Sequence, residues 1–177
     1  MSQMITGLLD YSKMDTQYQQ HNKHSFDLSE LIAILVNDAT FEIQQKDIQL
    51  QSNLEPGLKI IAIKPMMVSC IENILRNAIR YADKKIEVGC RSEHSTGQII
   101  ISICDDGKGV PDGQQERIFE AFYRPETDRS RQSGGVGLGL SIAKKAVDAH
   151  GGIIVAKNIQ PHGLKILIIL SDKISTS

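Results

Sequence analysis

Residues 134–147 read GGVGLGLSIAKKAV, a glycine-rich loop that leads directly into a helix with an apolar stripe. Such a loop exposes unpaired backbone N–H groups beside the positive end of the helix dipole, where phosphate oxygens bind. We expect the helix to span Leu138 to His150. Glycine loops of this kind are common, so the motifs that precede this one decide what it binds.

An aspartate–glycine motif, DDGKG at 105–109, directly follows an apolar strand predicted over 98–104. A half-buried carboxylate at Asp105 needs a hydrogen-bond donor, and the exocyclic amine of adenine supplies one. Gly107 and Gly109 would let the backbone approach a flat ring closely. A plain turn after a strand is the alternative interpretation of this motif on its own.

Two asparagines lie on a helix predicted over 65–82. Asn73, Asn77 and Arg80 share one side of this helix, opposite its apolar face, because they are spaced i, i+4 and i+7. Two amide oxygens and a cation in this arrangement suit a magnesium–phosphate group, since magnesium takes oxygen ligands and keeps few of them from protein. A solvated polar face is the alternative for this helix alone. The three motifs together, in this order, predict a bound nucleoside triphosphate with its metal.

The polar segment from Tyr123 to Gly135, between a predicted short helix and the glycine-rich helix, has no periodicity and carries Arg124, Arg129 and Arg131. A segment with cations next to a phosphate site is suited to be a lid. An ordinary solvated loop is the alternative for each arginine taken separately. Three aromatic residues before or at the start of this segment are interpreted as core or hinge packing: Phe119, Phe122 and Tyr123.

Length and composition allow one ordinary domain with a short appendage, since the chain has 177 residues and a formal net charge of −1. Lysine and arginine form no basic stripe, so we expect no nucleic-acid partner. No apolar run approaches the ~18 residues of a membrane span, so we expect no membrane insertion of this piece. We expect buried, reduced thiols at the three cysteines, Cys70, Cys90 and Cys104.

Hydrophobic periodicity predicts a repeating order of one helix followed by two strands. Helices are expected after an N-cap at Asp27, at 65–82 and at 138–150, with a short helix at 116–122. Strands are expected at 48–51, 58–63, 85–91, 98–104, 153–158 and 164–170, the first two joined by a turn at Pro56-Gly57. This order predicts an α/β (α+β) two-layer sandwich, a mixed β-sheet with helices packed on one face.

The motifs resemble the four boxes of one family. The asparagine helix resembles the N box, 105–109 the G1 box, 118–124 the F box and 135–140 the G2 box. These boxes mark the catalytic ATP-binding domain of bacterial two-component sensor histidine kinases, in the GHKL superfamily of gyrase, Hsp90 and MutL ATPases. The resemblance implies the Bergerat ATP-binding fold, with ATP and Mg²⁺ as cofactors.

The resemblance also assigns roles to residues. Asn77, with Asn73, would bind magnesium, and Asp105 would read the adenine amine. Glu72 is a possible proton acceptor. Other ATP contacts follow from the boxes, namely Arg80, Tyr81, Gly107, Gly109, Val110, Phe119, Arg124, Arg131, Gly135, Val136, Gly137, Leu138, Gly139 and Leu140. Of these, Arg80, Arg124 and Arg131 would act on the γ-phosphate, and Val136 stands where many members have Thr or Ser.

The family's phosphate acceptor is a histidine followed at once by an acidic residue, on a dimerising helical hairpin. None of the five histidines here is followed by Asp or Glu. The helical pattern over Met1–Tyr18 resembles only the end of that hairpin's second helix, so we expect 1–20 to be hairpin end and linker and 21–177 to be the catalytic domain. The chain would then not phosphorylate itself.

The implied partners are the dimerisation domain of the same kinase and a response regulator, whose aspartate takes the phosphate onward. The implied location is the cytoplasmic side, with an inner-membrane sensor as the parent protein. Two other functions stay open. One is a GHKL-type ATPase gate, which would have a glutamate where Asn73 stands. The other is a binding module, either a degenerate nucleotide-binding docking module or a serine-kinase regulator of a sigma factor.

Overall fold

The computed structural model describes residues 22–125 and 136–171. Within them the chain forms, in order, β1 (His24–Asp27), α1 (Leu28–Gln45), β2 (Gln49–Leu54), β3 (Lys59–Ala62), α2 (Lys64–Tyr81), β4 (Lys85–Glu93), β5 (Gln98–Asp105), a 3-10 turn (Arg117–Phe119), α3 (Gly139–Ala149), β6 (Ile153–Asn158) and β7 (Leu164–Ser171). The expected N-terminal helix and the predicted residues Arg129, Arg131 and Gly135 lie outside the described residues.

Five strands form one mixed sheet in the order β2-β4-β5-β7-β6. β2 runs parallel to β4, and the other neighbours are antiparallel. Alternate residues of β5 and β7 are buried and meet in register, with Ile101 opposite Ile168 and Ile103 opposite Ile166. Helices α1, α2 and α3 pack on this sheet through one apolar core. The predicted two-layer sandwich is therefore confirmed.

Helix α2 contacts both α1 and α3 and supplies the centre of the core. Its buried positions, such as Ile71, Ile74 and Ala78, recur every three or four residues, so the apolar side is fully covered. Asn73 and Asn77 lie off this side and are half-buried. Burial of the apolar side thus sets the direction in which the asparagines face.

His150, at the end of α3, ties that helix to the start of α2. Its Nε2 accepts a hydrogen bond from the backbone N–H of Ile63 at 2.9 Å, and its Nδ1 donates to the carbonyl of Ala146 at 2.6 Å. This pattern requires the neutral Nδ1–H tautomer. Burial lowers the pKa of His150, which is consistent with a neutral ring.

Helix boundaries follow local signals closely. The Asp27 side chain accepts from the backbone N–H of Glu30 at 2.9 Å, which confirms the predicted N-cap of α1. Pro65 stands in the first turn of α2, where its missing N–H is harmless. Both α2 and α3 begin and end within one residue of their predicted limits.

The short helix predicted over 116–122 is wrong. Only a single 3-10 turn forms there, because Glu120 returns to an extended conformation with ψ 139°. Phe122 then adopts a left-handed conformation with φ 66°, which no helix continues through. The chain therefore turns sharply just before residues 126–135.

The turn at Pro56-Gly57 does not join a hairpin. β2 pairs in parallel with β4, whereas β3 pairs antiparallel with β1 in a separate two-stranded sheet. β1 was not predicted, because His24–Asp27 has no apolar alternation and becomes a strand only by pairing with a segment far along the chain.

The cysteines are buried and unpaired, as predicted: Cys70, Cys90 and Cys104. Cys70 lies on the core side of α2, and burial raises the pKa of its thiol to about 12. Cys104 lies in β5 on the opposite face of the sheet. None of the described helices combines the length and apolar character that crossing a bilayer requires.

Candidate functional site

Asp105 is the last residue of β5 and lies in the middle of the sheet, paired with Ile86 on one side and Leu164 on the other. It is only 5% exposed, and burial raises the pKa of its carboxyl to about 6. Hydrogen bonds from the backbone N–H groups of Gly107 and Leu164 oppose this shift. A buried carboxylate of this kind gains from a further donor.

The backbone at Gly107 packs against the last turn of α2. A Cβ added at this position would overlap the carbonyl oxygen of Tyr81 and lie 2.9 Å from Oδ1 of Asp105. Only a residue without a side chain fits this contact. The aspartate–glycine loop therefore touches the C-terminal end of the asparagine helix.

Asp106, for which no role was predicted, fixes the connection between α2 and β4. Its Oδ1 accepts hydrogen bonds from the backbone N–H groups of Asp83, Lys84 and Lys85, at 2.9, 3.0 and 2.9 Å. Burial opposes ionisation of Asp106, but these bonds outweigh it and hold the pKa of the carboxyl below its usual range. The loop and the helix end are thus joined from both sides.

Asn73 faces the other predicted motif. Its Nδ2 donates to the carbonyl of Ser69 at 2.8 Å, which orients the side chain on α2. A Cβ added at Gly139, the first residue of α3, would lie 3.0 Å from Oδ1 of Asn73. The middle of the asparagine helix is therefore in contact with the first turn of the helix that follows the glycine loop.

One row of residues on α2, here called the asparagine row, connects both motifs through the Asn73 side chain at one end and the Tyr81 carbonyl at the other. Asn73 is at the glycine loop, Asn77 lies one turn further on, and Tyr81 is at the aspartate loop. Tyr81 follows Asn73 by eight positions, which corresponds to about 12 Å along the helix axis. The three predicted motifs converge on one elongated site.

The glycine loop also contacts the segment that precedes residues 126–135. Gly137 has φ 77°, and its carbonyl accepts from the N–H of Phe122 at 2.9 Å. A Cβ at Gly137 would lie 2.9 Å from the carbonyl oxygen of Tyr123. Both the positive φ and this contact require glycine.

The other predicted residues are placed as follows. Phe119, Val110 and Leu138 are buried in the core, so packing is confirmed for Phe119. The side chain of Phe122 is 56% exposed, so it does not pack in the core, and of the two predicted alternatives only a hinge position is left for it. Half-buried positions are taken by Glu72, Arg80, Tyr81, Arg124, Val136 and Leu140. The guanidinium of Arg80 lies 5.4 Å from the centre of the Tyr81 ring.

Tyr123 anchors the end of this region. Its hydroxyl hydrogen-bonds to Oε1 of Gln114, and the guanidinium of Arg117 lies 4.4 Å from the ring centre. The predicted packing of Tyr123 is confirmed by its contact with the core. Gln114 carried no signal in the sequence, because a lone glutamine in a polar loop indicates no partner.

The geometry brings the three predicted motifs into contact, and comparison with known proteins identifies the family. Residues 63–174 match the family described as histidine kinase-, DNA gyrase B-, and HSP90-like ATPase. The matched range contains α2, the aspartate–glycine motif and the glycine loop. The chain belongs to this family.

Among relatives, the sensor protein kinase WalK of Staphylococcus aureus is 32% identical over 173 residues, or 96% of this chain. The chain spans only 41% of one WalK sequence and 28% of a longer one. It is homologous to the catalytic part of a sensor kinase.

Solved structures show the same fold. The nucleotide-free catalytic domain of histidine kinase ThkA has a TM-score of 0.76 at 24% identity, covering 86% of this chain and 97% of ThkA's. The mycobacterial sensor histidine kinase MprB has a TM-score of 0.71 at 25% identity, covering 84% and 96%. Full-length ShkA in complex with AMPPNP has a TM-score of 0.82 at 20% identity, covering 98% and 36%.

The substitution Gly107→Ala tests the contact between the loop and α2. The added methyl overlaps the Tyr81 carbonyl, so we expect unfolding in urea to show a loss of about 2–3 kcal/mol. Gly89→Ala is the matched control, because its Cβ would meet only the rotatable hydroxyl of Ser102 on the outer face of the sheet, at 2.7 Å. We expect about 1 kcal/mol or less for it. Equal losses in both variants would contradict the contact described.

Proposed function

We propose that this chain is the ATP-binding catalytic domain of a two-component sensor histidine kinase. It would transfer the γ-phosphate of Mg-ATP to a histidine on a dimerisation domain, for onward transfer to a response regulator. The observation that carries the proposal is the contact of one helix, α2, with both the Asp105 loop and the first turn of α3. Membership of the family and homology to WalK support it.

Adenine would bind at the Asp105 end. The carboxylate is buried, so a hydrogen bond from the exocyclic amine of adenine forms there without competition from bulk water. Guanine carries an oxygen at the corresponding position, and this oxygen would face the carboxylate unfavourably. Asp105 thus selects adenine because its negative charge favours the amine of adenine over the oxygen of guanine.

The phosphates would bind at the other end, beside the first turn of α3. Within the described residues no side chain caps this helix at Leu138, so its first N–H groups are suited to bind an anion. The helix is eleven residues long and starts at Gly139, where Asn73 is in contact. A triphosphate chain would therefore lie along the asparagine row.

Asn73 and Asn77 fit magnesium, because an amide oxygen is a neutral, hard ligand and the metal takes most of its remaining ligands from phosphate and water. Ser69 engages the Nδ2 of Asn73 and leaves its Oδ1 as the group that faces the site. Magnesium, when bound, would offset negative charge on the phosphates. Arg80, Arg124 and Arg131 would offset the charge that remains.

The transfer itself needs few groups from this chain. The unprotonated imidazole nitrogen of the acceptor histidine attacks the γ-phosphorus, a P–N bond forms, and the bond to the β,γ-bridging oxygen breaks to release ADP. The proton on the other imidazole nitrogen becomes acidic as the P–N bond forms, and Glu72 would accept it. Positioning and charge neutralisation supply most of the rate.

Nucleotide binding is the first test. We expect AMPPNP to bind more tightly with magnesium than without it, and Asn77→Ala to remove about tenfold or more of that magnesium-dependent gain. Titration calorimetry measures both affinities. Arg76→Ala is the control, because Arg76 is exposed on the same helix and outside the asparagine row. Unchanged magnesium dependence in Asn77→Ala would rule out the proposed metal role.

The pH dependence of binding tests Asp105. The free carboxyl has a pKa of about 6, and adenine binds its ionised form, so affinity should be constant above pH 7 and fall up to about tenfold per pH unit below 6. Asp105→Asn does not titrate and should bind weakly. The ratio of wild-type to Asp105→Asn affinity removes the titration of the nucleotide itself. A ratio that does not change between pH 5 and 8 would contradict this assignment.

Phosphotransfer tests the kinase proposal against the ATPase gate. Incubation with γ-labelled ATP should leave this chain unlabelled, because no histidine here is followed by an acidic residue. A separately produced dimerisation domain of a sensor histidine kinase should acquire an acid-labile label when the chain is added. Steady ATP hydrolysis without any acceptor would favour the gate, and acid-labile label on this chain would refute the prediction.

A further inference from the structure

The hairpin between β6 and β7 lies beside the loop that carries the adenine-binding groups. Leu164 pairs with Asp105 across β5 and β7 and with Asn158 across β6 and β7. Asp105, Leu164 and Asn158 therefore lie side by side at one edge of the sheet. The hairpin at 159–163 and the loop at 106–110 both leave the sheet at this edge. Ile159 closes the hairpin by donating its N–H to the Gly163 carbonyl at 3.1 Å.

His162 makes the first connection between hairpin and loop. Its Nδ1 lies 2.7 Å from the carbonyl oxygen of Asp106 and 3.2 Å from that of Gly107. Carbonyl oxygens only accept, so Nδ1 carries the hydrogen.

Asn158 makes the second connection, at the other end of the loop. Its Oδ1 accepts from the backbone N–H of Val110 at 2.9 Å, and its Nδ2 donates to the carbonyl of Val110 at 2.7 Å. One carboxamide thus satisfies both backbone groups of a residue that belongs to no strand. This pair of hydrogen bonds holds the end of the loop at Val110, which is 48 residues from Asn158 in sequence.

The backbones between these two connections are in close contact. A Cβ added at Gly163 would overlap the carbonyl oxygen of Asp105, and one added at Gly109 would lie 2.7 Å from Oδ1 of Asn158. Loop and hairpin are therefore in close contact on the β7 side of Asp105.

We infer that residues 158–163 form a clamp that holds the 106–110 loop in the shape that reads adenine, with His162 and Asn158 as positioning residues. The inference rests on the proposed function, because it assigns these residues to the adenine end of that same site. Their side chains bond the loop backbone at both ends, so losing either bond gives the loop more conformations that must be ordered on binding. The bonds that Asn158 and His162 make are to the loop at 106–110, at the adenine end of the site.

The inference is tested by binding of AMPPNP, ADP and GTP to His162→Ala and Asn158→Ala in the full chain. We expect each variant to bind AMPPNP and ADP about tenfold more weakly, with the same factor for both, since the loss is at the base. GTP affinity should change little, so the ratio of AMPPNP affinity to GTP affinity should fall. His162→Asn should recover most of the loss, because its Nδ2 presents a donor where Nδ1 stood.

Controls separate this inference from the proposed function. His94→Ala should bind as wild type, because His94 is exposed in the β4–β5 turn at the opposite end of β5 and contacts Ser92. Circular dichroism at the binding temperature shows whether each variant is folded. If His162→Ala is unfolded, binding to His162→Asn is measured in its place. If the wild-type chain fails to bind AMPPNP, the proposed function fails. If it binds and both alanine variants keep wild-type affinity and base preference, the clamp is refuted.

Discussion

The contact between the Gly107 backbone and the last turn of α2 is the constraint on which the rest of the site depends. It joins the end of the central strand to the central helix with no space for a methyl group. Asp106 reinforces it by accepting the N–H groups that follow the helix. With one end of α2 fixed in this way, the asparagine row reaches the first turn of α3 by the geometry of the helix alone.

This arrangement buries the carboxylate of Asp105, although its burial lowers the stability of the folded chain. The pKa of Asp105 rises from 3.8 to about 6, so between these values the folded chain binds a proton more tightly than the unfolded chain does. By linkage, stability falls as pH rises through that window and stays lowered above it. The shift corresponds to about 3 kcal/mol at neutral pH. A group that destabilises the folded state in this way is typical of a binding site, where a ligand supplies the missing interaction.

Most of the fold could be predicted because its main elements have strong local patterns. The apolar spacing of α2 and α3 and the apolar runs of β5 and β7 reflect burial directly, and the sequence was sufficient to place their limits within a residue or two. β1 could not be predicted, since its sequence has no apolar alternation, and the pairing of β3 with β1 could not be predicted because the two strands are distant in sequence. The convergence of Asn73, Asp105 and Gly139 followed from motif order. Asn158 and His162 were missed because each bonds backbone about fifty residues away and leaves no local pattern.

Two of the three thiols, Cys70 and Cys104, provide internal reporters of how this domain opens. Cys70 lies on the core side of α2, so a reagent reaches it only when the helix leaves the sheet. Cys104 borders the outer face of the sheet and is 7% exposed, so smaller fluctuations at that face uncover it. Alkylation rates at the two sites therefore distinguish breathing of the outer surface from separation of the two layers, without any introduced label.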